Sequence, residues 1–188
     1  MNSNELDIEN LRETILLSDS KVWGIVSQQK GVGKSYIAKK LDDHLQKSGK
    51  TVLYLECGAG EENSVSLEEE MKNLPAVEED SRALKSRKIF MSDRAGIEKL
   101  VYDESFEKLI DTYRNRFDYV LVDMMSLEEN SIAKRISSIC DNNLFVLAKD
   151  TQNGIELRKV IDQLCDVNVR IAGVVMNEYH EKRSWLRA

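Results

Sequence analysis

The chain has 188 residues, 41% hydrophobic and 32% charged, with 33 acidic side chains against 27 lysines and arginines and a net charge of −6. This is the size and make-up of one soluble domain with a substantial core, not of a disordered or fibrous chain, and the acidic balance offers no overall basic field for nucleic acid. Cys57, Cys140 and Cys165 lack zinc-site spacing and are odd in number, which suits a reducing cytoplasm; residues 1–7 are acidic where a secretory leader would be basic, and no apolar run approaches about 18 residues, so neither export by that route nor a transmembrane segment is expected.

Residues 1–20 read as an N-terminal helical segment. Val22-Trp23-Gly24-Ile25-Val26 is an apolar run that leads into Gln29-Lys30-Gly31-Val32-Gly33-Lys34-Ser35 and then a helical pattern. Strand, glycine loop and helix in that order make a phosphate-binding loop: glycines let successive N–H groups aim at a phosphate, Lys34 supplies a point charge, and the Ser35 hydroxyl suits Mg²⁺. The opening glycine of the full G-x-x-x-x-G-K-[ST] pattern is missing, since Gln28 stands there. The bland alternative is a glycine-rich strand-to-helix turn.

Ile37, Ala38, Leu41 and Leu45 share one helical face, Gly49 is placed to end that helix, and Thr51-Val52-Leu53-Tyr54-Leu55 follows as a strand, completing one right-handed βαβ unit. Residues 61–88 crowd acidic side chains before basic ones, as an acidic and basic surface insert would. Leu67, Met71 and Leu74 suggest a short helix ended by Pro75; the functional alternative is an acidic flap facing the nucleotide or a partner's basic surface. Ile89-Phe90-Met91 reads as a short strand, and Phe106, Leu109, Ile110 and Tyr113 as a helical face.

Phe117-Asp118-Tyr119-Val120-Leu121-Val122-Asp123 is an apolar strand ending in a carboxylate. In phosphate-loop proteins such a carboxylate orients Mg²⁺; the alternative is a strand-ending Asp that caps a turn. Asn143–Ala148 continues as a strand, Ile155, Val160, Ile161 and Leu164 describe a helix, and Val169–Met176 forms a last strand. The alternation predicts an α/β protein, a three-layer, doubly wound, mostly parallel sheet with ligands at the carboxyl ends of its strands, as one P-loop nucleotide-binding domain over residues 1–188.

These residues resemble the bacterial tyrosine kinases of capsule and exopolysaccharide synthesis, P-loop proteins related to partition and cell-division-site ATPases. Residues 10–18, from Asn10-Leu11-Arg12, look like the Leu-Arg-Thr-Asn segment before the family's first strand, and Ser27 through Ser35 matches the length of its Ser-x-x-Pro-Gly-x-Gly-Lys-Ser loop. Ser105–Ile110 before Phe117–Asp123 is similar to the approach to its magnesium-binding strand; Asp141 precedes the next strand, and Asn177 follows Gly173-Val174-Val175 like its base-contacting Asn, with a plain turn residue as the alternative.

The resemblance implies ATP and Mg²⁺, with Lys30, Gly31, Val32, Gly33, Lys34, Ser35, Tyr36 and Asn177 on the nucleotide and Ser35, Asp123 and Glu56 toward the metal. Lys34, Glu56 and Asp123 become the catalytic candidates, with Glu56 as base. It further implies a protein-tyrosine substrate on another chain, a membrane activator protein, and a homo-oligomer, in a cytoplasmic protein that meets the membrane through its partner.

The departures gather where that family does its chemistry. Lys30 replaces the loop proline, Glu56-Cys57-Gly58 stands where the family has a second Asp-x-Asp, Met124-Met125 replaces a Thr-Pro-Pro turn, and Tyr179 stands alone where such kinases carry a tyrosine cluster. Of the helical Glu-x-x-Arg-x-x-Arg pattern behind ring assembly, Arg12 remains and Glu9 occupies the middle Arg place. Two further readings therefore stand beside the kinase: a catalytically weak or inactive nucleotide-dependent regulatory module, and a positioning ATPase, whose signature lysine falls at Gln29. His44 and His180 have no partner suggesting catalysis, and Cys57 reads as a small buried cysteine before a redox-sensitive one.

Overall fold

In a computed structural model that describes residues 3–58, 87–91, 94–149 and 154–177, the first strand, β1 (Val22–Val26), is buried at every position. A run of apolar and β-branched residues with no polar alternation suits a strand covered on both faces. The same holds for β4 (Tyr119–Asp123), for β2 (Val52–Cys57) except at the half-buried Glu56, and for most of β5 (Asn142–Ala148). With β3 (Arg87–Met91) and β6 (Ile171–Asn177) they form a six-stranded sheet in the order β3-β2-β4-β1-β5-β6, and every pairing is parallel. β1 and β2, consecutive strands on either side of one helix, are not neighbours: β4 lies between them and pairs with both.

One face of the sheet carries α1 (Ser3–Leu16) and α2 (Lys34–Lys47), which pack around Ile15, Trp23, Ile25, Ile37, Leu41 and Tyr54. The other face packs α3 (Arg94–Tyr102), α4 (Ser105–Arg114), α5 (Ile132–Ile139) and α6 (Gly154–Cys165) against Val26, Leu55, Val120 and Phe145. Each fully buried large side chain here contributes about 1.5–3 kcal/mol from removal of apolar surface. The layers are those expected, and α4 buries Phe106, Leu109, Ile110 and Tyr113. Gly49 ends α2 with φ +78°, its N–H bonded to the Gln46 carbonyl at 2.9 Å.

Two expectations need revision, and two helices are additional. β3 begins at Arg87, so Arg87 and Lys88 belong to the sheet and not to a surface insert. Ile155 is 71% exposed, because it starts α6 beyond the packed stretch; Leu157, Val160 and Leu164 make the contact instead. α3 and α5 had no counterpart in the sequence reading. The acidic stretch before β3 and the segment after Asn177 lie outside the described residues, and no described helix is long and apolar enough to cross a membrane.

Side chains tie the strand ends together. Asp141 Oδ2 accepts the N–H groups of Lys21 and Val22, each at 2.8 Å, while Arg114 donates to its Oδ1 at 2.5 Å, so the start of β1 is fixed to β5 and α4. Asp118 accepts both the N–H and the hydroxyl of Thr51, at 2.7 and 2.9 Å, and aligns β2 with β4. These bonds set the register that brings the carboxyl ends of β1, β2 and β4 level.

Candidate functional site

Beyond Val26 the chain turns back over the end of the sheet. The Ser27 hydroxyl is buried and donates to the Gln29 carbonyl at 2.7 Å, and Gly31 and Gly33 adopt the left-handed region with φ of +77° and +91°. Gly33 is the residue from which α2 springs, and no side chain caps the helix there. The amino end of a helix, with its N–H groups and positive dipole end, favours an anion. Gly33 is required twice over: its backbone angle suits glycine, and a Cβ would overlap the amide nitrogen of Asn177. That amide, buried at the end of β6, donates to the Val32 carbonyl at 3.0 Å and so braces the loop from across the sheet.

Lys34 opens α2 and is only 8% exposed. Burial lowers its pKa; Asp123 and Glu129 act in the opposite direction. Asp123, at the end of β4, is level with Ile25 of β1 and Glu56 of β2. Its carboxylate receives the Ser35 hydroxyl and, at 2.8 Å on Oδ2, the hydroxyl of Tyr54. Burial raises the Asp123 pKa, against these two hydroxyls and the charges of Lys34 and Lys39. Glu56 shares the α2 side of the sheet with Tyr54, two residues before it in β2, and its Oε2 lies 3.7 Å from the Lys39 ammonium on α2.

The fold thus gathers Lys34, Ser35, Asp123 and Glu56 at one end of the sheet and sets Asn177 behind the loop. Lys30 extends outward and pairs with Glu129 at 3.0 Å. Tyr36, next along α2, has the Lys40 ammonium 5.8 Å above its ring. The donor set suits Mg²⁺, a hard cation that takes one or two protein oxygens and completes its shell with phosphate and water. Ser35 and Asp123 already meet through oxygen atoms beside a buried ammonium, which is that chemistry. Cys57 is buried and its thiol is pushed up by burial, so it is an inert neighbour.

Three contributors escaped the sequence reading. Tyr54 was counted as strand filling, although its spacing of two from Glu56 places both on one face. Lys39 carries no local sequence signal, because its partner Glu56 lies on β2. The third is the turn at residues 126–130, where Glu129 accepts the N–H and hydroxyl of Ser126 at 3.2 and 2.7 Å, a local side-chain-to-backbone tie. The Ser126 hydroxyl, with Lys30, holds the Glu129 carboxyl down to about 2 against the effect of its burial. Leu127 and Glu128 donate their N–H groups to the carbonyls of Ser27 and Gln28 at 2.9 and 3.1 Å, so this turn runs alongside the loop. On the α6 side the two border a groove of about 280 Å³ floored by Phe145, Leu147, Leu157 and Val160.

No protein-family model and no curated protein sequence matches this chain. Solved structures do. The kinase domain of the Escherichia coli tyrosine kinase ETK is 16% identical, with 96% of this chain and 76% of that one covered at a TM-score of 0.72. The chimerical protein CapA2B2 is 19% identical over 95% of this chain and 86% of its own, with a TM-score of 0.76. The chain has the fold of bacterial tyrosine kinase domains and of MinD ATPases. Among the latter, the septum site-determining protein MinD complexed with Mg-ADP from Pyrococcus horikoshii is 17% identical over 87% of this chain and 72% of its own, with a TM-score of 0.62. At these identities the likeness is one of architecture, and the resemblance drawn from the loop and strand motifs agrees with it.

Proposed function

We propose that this chain binds MgATP at the 27–35 loop and transfers the γ-phosphate to a tyrosine of another protein, in the regulation of polysaccharide synthesis or export. The observation that carries the reading is the meeting of Lys34, Ser35 and Asp123 at the mouth of a loop whose glycines take left-handed angles. In this reading the N–H groups of residues 30–35 and the Lys34 ammonium hold the β- and γ-phosphates, with Tyr36 and Asn177 completing the nucleotide site. Ser35 and Asp123 hold Mg²⁺, with Glu56 beside them. The ion, when bound, offsets negative charge on the phosphates.

The acceptor phenol oxygen bonds to the γ-phosphorus as the bond to the β–γ bridging oxygen breaks, and ADP leaves. Glu56 takes the phenol proton. Little covalent chemistry falls to the protein, so rate depends on positioning and charge compensation.

The Lys39–Glu56 pair favours a second reading. A carboxylate held by an ammonium at 3.7 Å is a poorer base and a poorer metal neighbour, which suits a module that binds ATP to set a conformation or an interface. Incubation with ATP and Mg²⁺, followed separately for ADP release and phosphotyrosine on an added tyrosine-rich acceptor, separates the two. Phosphotyrosine formation supports the kinase; nucleotide binding with neither product supports the regulatory module. ADP release without phosphotyrosine points to a plain ATPase.

A further inference from the structure

Tyr54 carries its polar hydroxyl into the core of β2 and is fully buried. In the β2–β4 register it faces Leu121, while Glu56 faces Asp123, so its side chain reaches one pair along the sheet to donate its hydroxyl to Asp123 Oδ2 at 2.8 Å. A carboxylate on a short side chain rotates about its last bond, and a fixed donor on one oxygen selects the plane in which the other is offered.

We propose that Tyr54 is a positioning residue for the divalent cation: its hydroxyl, held in the core between α2 and the sheet, fixes the orientation in which Asp123 meets the metal of a bound nucleotide. The inference rests on the MgATP reading above. It assigns to the strand core the orienting role that hydrogen-bonded partners of metal-binding carboxylates play elsewhere. The arrangement also bears on Glu56: an acidic pair with one member engaged by Lys39 leaves Asp123 as the principal carboxylate, so its orientation matters more.

The test is Tyr54→Phe, which keeps the buried ring and removes only the donor. Affinity for ATP is measured by calorimetry in Mg²⁺ and, separately, in EDTA. The parent is expected to bind more tightly with Mg²⁺, and Tyr54→Phe to lose about 10-fold of that metal-dependent gain while its affinity in EDTA stays unchanged. Unchanged EDTA affinity reports an intact loop, which a merely structural role would not spare. Tyr54→Met, which removes the same donor with a different shape, should give the same loss. If both variants keep the parent's full Mg²⁺ gain, or lose ATP affinity equally in Mg²⁺ and EDTA, the positioning role is wrong although the nucleotide site stands. A parent that binds no ATP in either buffer overturns the MgATP reading and this inference with it.

Discussion

Replacing Gly33 with Ala tests the central geometric claim, that one residue must serve both the loop's backbone angle and the close approach of Asn177. The angle comes first: φ of +91° in an L-residue costs roughly 1–2 kcal/mol. The methyl group also overlaps the Asn177 amide nitrogen, so Asn177 must swing aside and give up its buried bond to the Val32 carbonyl, a further 1 kcal/mol or so. Gly33→Ala should therefore lose about 2–3 kcal/mol, which in a domain of this size lowers the melting temperature by roughly 5–10 °C. The two terms separate in a double-mutant cycle. With Asn177→Ala already in place the methyl group meets only the Cβ of position 177, at an ordinary 3.9 Å, so only the angle cost remains and the coupling is about 1 kcal/mol. Thermal and urea unfolding of parent, both single variants and the double variant give the cycle. Additive losses would refute the contact between β6 and the loop, and an undiminished melting temperature for Gly33→Ala would refute the left-handed angle itself.

Lys34→Ala should abolish stabilisation by nucleotide: ATP at about 100 times its Kd raises the parent's stability by about 2.7 kcal/mol, and a variant that still shows this shift in a thermal melt would remove the loop lysine from the site. Glu56→Gln should slow phosphoryl transfer at saturating ATP while leaving ATP affinity within about 2-fold, a split read from initial rates beside calorimetry; equal rates would make Glu56 a strand-end residue paired with Lys39. Asp141→Asn tests the tether of β1. Burial works against the charge of Asp141, but Arg114 and the N–H groups of Val22 and Lys21 outweigh it and hold the folded pKa below the usual carboxylate value. A depressed folded pKa contributes stability that is present above the unfolded value of about 3.9 and is lost as pH falls through the folded one. The variant should thus be less stable at pH 7, and the difference should shrink in urea titrations repeated toward about pH 3; a gap that stays constant with pH would rule out the ion pair as its source.

What the sequence displayed was whatever depends on near neighbours. Val22–Val26 and Val120–Asp123 announced themselves because strands buried on both faces need unbroken apolar runs, and Phe106, Leu109, Ile110 and Tyr113 because a helix facing a sheet repeats every three to four residues. The loop was legible from glycines, Lys34 and Ser35 between such elements. The sheet order was not, because nothing in β1 or β2 states that a third strand lies between them. Tyr54 was hidden for the same reason, since its partner Asp123 is 69 residues away and meets it only once β2 and β4 are in register. α5 was hidden by its shortness: eight residues with Ile132, Ala133 and Ile136 buried give barely two turns of pattern.

The two departures from the motifs of the resembled kinases, Lys30 at the place of the loop proline and Glu56-Cys57-Gly58 at the place of the second acidic motif, weigh differently in the structure. A proline stiffens a loop by fixing φ and reducing the freedom of the unfolded chain. Lys30 does neither, and its pair with Glu129 is largely in water, with a contribution of about 1 kcal/mol or less. Yet the loop is tied by backbone bonds from Leu127 and Glu128 to the carbonyls of Ser27 and Gln28, by the Ser27 hydroxyl within the turn, and by Asn177 from behind. Those ties depend on main-chain groups and on side chains other than residue 30, so the loop keeps its geometry with a lysine there. At Glu56 nothing comparable intervenes: Lys39 pairs with the longer carboxylate at 3.7 Å, and the position matching the second acid of the resembled motif is Gly58. Under the proposed function, binding and catalysis would thus rest on different parts of the molecule, the first on a braced loop and the second on a single strand-end carboxylate, and variants at Lys34 and Glu56 should divide along that line.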